Sequence, residues 1–184
     1  MIVIGVLLPA SSASPDPVVE IARRAAATGA RTEIVGLAPT GADGDRLLVE
    51  LAAAGIGHAT VTRSAAGGIE PADLDLALRY LPDVRAIVLS RPSASLLEPA
   101  IAAASWSGAT LIVVAPRDSG ELAGMGGSDA AGPRRDPIIL EPPAHDPDGA
   151  FAGVVAALAV RLDAGEDPSS AWQSTVAALA IDPV

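Results

Sequence analysis

His145, Asp146 and Asp148 fall within four residues of one another in "HDPDGAFAG" (145–153), immediately ahead of the apolar run "VVAALAVRL". Two carboxylates and an imidazole this close could hold a cation or take a proton. A loop that runs into a helix start could also hold an anion on the helix's free N–H groups. The plainer reading is capping, in which Asp146 and Asp148 accept those amides and favour the positive end of the helix dipole. Capping is preferred here, because a compact His-Asp-x-Asp loop is a weak ligand pattern and acidic turns are common in acidic chains. No metal site is assigned.

The rest of the chain narrows the chemistry further. Its 184 residues contain twelve Arg and no Lys against twenty-two acidic residues, a formal charge of −10. Without Lys there is no P-loop lysine, Schiff base or lysine general base. Without Cys there is no disulfide, thiolate nucleophile or zinc–thiolate centre. Scattered Arg residues on so acidic a chain argue against nucleic acid and against anionic membranes. "MIVIGVLLPASSAS" lacks a basic leader and reads as a buried first strand rather than a signal peptide. No run is long enough to span a membrane, so a cytoplasmic location is expected.

These residues must be positioned by a regular scaffold. Short β-branched runs at 2–8, 32–37, 59–63, 85–90, 110–115 and 137–141 alternate with Ala-rich segments of helical period. Several runs are apolar throughout, as strands covered on both faces must be. Val18, Ile21, Ala22 and Ala25 form one helical stripe, and Leu47, Leu48, Leu51 and Ala54 another. Gly29 and Gly55 sit at helix C-caps, and Pro71 suits a first helical turn. Ser95 and Glu98 have capping-box spacing, with Pro99 near the helix start, and Asp167-Pro168 reads as an N-cap and first position. The expected fold is α/β: a three-layer α-β-α domain over 1–184 with a mainly parallel sheet.

One segment breaks the rhythm. Residues 117–136, "RDSGELAGMGGSDAAGPRRD", are Gly-rich and aperiodic, and are expected to form a flexible loop. A phosphate nest with Arg134 and Arg135 is the less favoured reading, and "GGSDA" around Ser128 makes a poor nucleophile elbow. His58, at the start of a strand, is expected to be structural. Trp106 and Trp172 lie on expected helices, where core packing is the ordinary role; an exposed Trp172 beside Val176 and Leu179 would instead mark a partner surface.

Taken in order, "VEIARRAAATGARTEIVGLAPTGADGDRLLVELAAAGI", "IEPADLDLALRYLPDVRAIVLS", "LLEPAIAAASWSGATLIVVAP" and "DGAFAGVVAALAVRLDAGEDPSSAWQSTVAALAI" resemble the helix and strand units of the PfkB, or ribokinase-like, carbohydrate kinase family. The resemblance covers about four-fifths of the chain and implies a reduced, truncated ribokinase-like core. It also implies where chemistry has been lost. Pro15, Asp16 and Glu20 stand where the family has its sugar-side glycine pair and asparagine. Pro39, Thr40 and Gly41 replace its Gly-Asp-Asp turn, with Gly44 retained. The lid hairpin has almost no counterpart between Arg63 and Glu70.

The family's catalytic turn, Gly-Ala-Gly-Asp before Ala-Phe, aligns to Asp146-Pro147-Asp148-Gly149 before Ala150-Phe151. The base position is therefore Gly149, Pro147 removes an anion-hole amide, and Asp146 and Asp148 put negative charge where phosphate would bind. The resemblance so read implies a degenerate kinase that persists as a binding or interaction module, with no catalytic residue and no cofactor. Its expected partner is a second copy of the chain or another protein. The alternative is a minimal ATP-dependent carbohydrate or nucleoside kinase with Mg²⁺ as charge shield and Asp148 as base, displaced by one position. Asp146, Asp148 and Gly149 would then line the cofactor site.

Overall fold

Ala86–Ser90 and Thr110–Val114 are buried at every position, which only a strand with helices on both faces achieves. The computed structural model describes residues 1–5, 17–64, 69–116, 136–144, 146 and 148–180. In chain order the elements are β1 (Ile2–Gly5), α1 (Pro17–Ala27), β2 (Thr32–Pro39), α2 (Ala42–Ala53), β3 (Gly57–Ser64), α3 (Pro71–Tyr80), β4 (Ala86–Ser90), α4 (Ala94–Ser107), β5 (Thr110–Val114), β6 (Ile138–Leu140), α5 (Ala150–Asp163) and α6 (Pro168–Ala180). The Gly-rich stretch, with Ser128, Arg134 and Arg135, lies outside the described residues except for Asp136. So do Pro15, Asp16, His145, Pro147 and the side chain of Leu179.

All six strands pair in parallel in the order β3-β2-β1-β4-β5-β6. The architecture is three-layer α/β/α, as the alternation of runs implies. Side chains sort by the two-residue period of the strands. Ile2, Ile4, Ile34, Val88, Ile112 and Val114 face a core closed by α1, α2, α5 and α6. Val3, Val35, Ile87, Leu89, Leu111 and Val113 face the other, closed by α3 and α4. The chain winds one way from β1 to β3 and the other way from β4, so the order reverses between β1 and β4. Ligands of open parallel sheets bind beyond the carboxyl ends of the strands at such a reversal.

Helix ends follow local chemistry, with one departure. Gly29 and Gly55 carry φ of 87° and 69°, the left-handed turn that ends a helix. Pro71 opens α3 after Glu70. α4, however, begins at Ala94 after Ser93, so Ser95 is inside the first turn and Pro99 lies within the helix. Ser93 Oγ and Ser95 Oγ are 3.0 Å apart, an alternative to the expected capping box that keeps both hydroxyls at the helix start. His58 is half-buried, its Nδ1 lying 3.0 Å from the Ile56 carbonyl oxygen.

Both tryptophans depart from core packing. Trp106 is 74% exposed and Trp172 40%. Among the described residues, no helix is long and apolar enough to cross a membrane.

Candidate functional site at the start of helix α5

α1 and α5 pack side by side through small residues. Val18, Ile21, Ala22 and Ala25 of α1 and Ala152, Val155, Ala156 and Ala159 of α5 belong to one buried cluster. Such small side chains let two helices approach closely. At the far end of α5, Asp163 pairs with the Met1 ammonium beside the start of β1. The N-terminus of α5 therefore lies toward the carboxyl ends of the strands, next to the first turns of α1.

The helix start is organised by its own chain. Gly149 is the N-cap residue, at φ 64° and ψ 25°, a left-handed conformation that glycine adopts without steric cost. Its N–H donates to the Asp146 carbonyl at 3.3 Å, and the Phe151 N–H donates to Asp146 Oδ2 at 3.1 Å. Asp146 thus takes one of the free amides of α5. Asp148 does not; its side chain is exposed.

α1 supplies the remaining contacts. Arg24 Nε donates to Glu20 Oε1 at 2.7 Å, and Arg24 Nη2 donates to the main-chain carbonyl of Asp148 at 3.2 Å. The guanidinium lies so close over the turn that a Cβ on Gly149 would come within 3.2 Å of Nη2, and one on Gly153 within 3.2 Å of Nη1. Glu20 and Arg24 were not expected at this turn. Their spacing of four along one helix face was the available signal for the pair, but not for its position across from α5.

The other edge of the reversal carries Ser90 and Arg91. Ser90 ends β4 and is buried. Arg91 has φ 47°, rare for a residue with a Cβ, and its N–H donates to the Val114 carbonyl at 2.8 Å. That bond ties β4 to β5 just past the strand end.

Among the described residues, no group of three or more acidic or histidine side chains is placed to hold a metal ion. At the turn itself, one Asp146 oxygen is taken by an amide and a guanidinium cation lies across the same turn.

No family model matches the chain, and no curated protein matches it. Solved structures do. The protein Sa239 is similar with a TM-score of 0.64 at 12% identity, over 100% of this chain and 94% of that one. An apo protein described as a ribokinase II from E. coli gives 0.60 at 11% identity, over 95% and 90%. One described as a phosphofructokinase from Staphylococcus aureus gives 0.58 at 12%, over 96% and 90%. At such identities the likeness is one of fold alone: these proteins share the three-layer α/β/α architecture of this chain.

Proposed function

We propose that this chain is a ribokinase-like protein without phosphotransfer activity, acting as a binding or interaction module. A single observation carries the reading: Gly149 stands at the position that the resemblance gives to the catalytic base, in a left-handed turn whose amides and carbonyl are engaged by Asp146 and Arg24. A glycine accepts no proton through a side chain, and general-base catalysis needs an acceptor within hydrogen-bond reach of the attacking hydroxyl. An oxyanion-type site likewise needs free donors aimed at the transferred group. Here part of that donor set is committed within the chain. A cytoplasmic location belongs to the same reading.

One feature favours a second reading, a minimal sugar or nucleoside kinase. The Asp148 carboxylate is exposed one residue before the base position, and no hydrogen bond or ion pair holds it among the described residues. The two readings separate on incubation with ATP and Mg²⁺ across a panel of sugars and nucleosides. The module should show no substrate-dependent ATP turnover and no thermal stabilisation. A ligand at about a hundred times its Kd would add roughly 2.7 kcal/mol, which a melting curve resolves easily. Turnover that disappears in Asp148→Ala would establish the kinase and overturn the module.

A further inference from the structure

α6 contains no charged residue: Pro168–Ala180 reads PSSAWQSTVAALA. Ala171 and Thr175 are buried, while Trp172 and Val176, one turn apart, are 40% and 43% exposed. Beside them runs an open groove of about 770 Å³. Ile138 and Leu140 of the edge strand β6 line one side, Phe151 and Val154 of α5 another, and Pro168 and Trp172 the α6 side. Among the described residues of that lining, Glu141 alone is charged.

We propose that this face joins two copies of the chain in a two-fold dimer, with Trp172 and Val176 of each copy seated in the β6–α5 groove of the other. Two-fold association requires a knob and a hole on the same patch, and Trp172 stands at the edge of the groove it would fill in a partner. Charge selects the occupant. With a net charge of −10, two copies repel over most of their surfaces, and a largely apolar face with one carboxylate, Glu141, in its described lining lets them meet with little apposed charge. A basic partner would find one carboxylate there. Sheet extension is disfavoured, because β6 has three residues, with Pro137 before it and Pro142 and Pro143 after it. Proline has no N–H to offer a new strand. The aromatic anchor is the type that dominates interface energetics.

The dimer supplies the partner class for an interaction module, and its test substitutes residues of α6 and α4 rather than Asp148 or Gly149, so its failure and a positive kinase assay are separate results. Sedimentation equilibrium on the full chain, at low and high micromolar concentration, tests it. The wild type should dimerise, and more so with added salt, since screening relieves repulsion between acidic copies. Trp172→Asp should be monomeric with an unchanged far-ultraviolet dichroism spectrum, and Trp106→Asp should still dimerise. If Trp172→Asp does not fold, Val176→Glu is the readout, with the same expected loss. A wild type monomeric at every concentration, a folded Trp172→Asp or Val176→Glu that still dimerises, or a dimer lost in Trp106→Asp would each overturn the proposal.

Discussion

Arg24 of α1 donates to the Asp148 carbonyl at 3.2 Å while holding Glu20 at 2.7 Å, so a cation lies at the positive end of the α5 dipole. That placement is electrostatically unfavourable in isolation, and the Glu20 carboxylate and the peptide carbonyl offset it. The pair is 40% and 35% exposed, and solvent screens most of its Coulomb attraction. Arg24→Ala should therefore cost only about 0.5–1 kcal/mol, read as a lower urea midpoint with an unchanged slope. A changed slope would mean that Arg24 governs the compactness of the α1–α5 pair, contrary to its exposure.

Gly149 should tolerate little else. At φ 64° a residue with a Cβ pays about 1–2 kcal/mol, and the added carbon would also press on Arg24 Nη2 at 3.2 Å. Gly149→Ala should lower stability by about that amount. Gly149→Asn should lose less, because an Asn side chain supports the left-handed conformation. Equal losses in chemical denaturation would show that contact with Arg24, rather than backbone strain, sets the cost.

Gly44 raises a different constraint. A Cβ there would lie 1.8 Å from the carbonyl oxygen of Pro39, main chain at the end of β2 that cannot rotate away as a side chain could. Gly44→Ala must push the first turn of α2 off the strand. Overpacking of this kind costs about 1–3 kcal/mol, and the upper end is expected. Thermal unfolding checks it; a neutral result would mean that the α2 start shifts freely on the sheet.

How much of this was legible in the sequence depends on whether a feature is local. β4 and β5 announce themselves because both faces are apolar, and Gly29 and Gly55 mark helix ends because their conformation is a property of single residues. The start of α4 was misplaced because Ser93 and Ser95 offer similar hydroxyls two residues apart, and a proline is tolerated inside the helix at Pro99. Core packing is the ordinary role of an indole, yet Trp106 lies on the surface of α4, and nothing in the local sequence marks it for that face. At the candidate site, a glycine at 149, where the resemblance puts the family's base, could be read by alignment on Ala150-Phe151. The guanidinium across the turn could not, since Arg24 and Asp148 are 124 residues apart and meet only through α1–α5 packing.

Asp167 gives the fold a measurable acid sensitivity. Its Oδ1 accepts the N–H groups of Ser169 and Ser170, each at 3.1 Å, at the start of α6. The side-chain hydrogen bond to Ser170, followed by the backbone bond to the same residue, holds the carboxyl below its ordinary value. A carboxylate depressed on folding stabilises the native state above its unfolded pKa of about 3.9. That contribution fades as pH falls through the lower folded value, where both states become protonated. Asp167→Ala should therefore melt below the wild type at neutral pH, and the gap should shrink as pH drops below about 3.9. Melting curves from pH 7 downward test this, and a gap that stays constant through the acid limb would show that the residue acts through helix propensity rather than through its ionised cap.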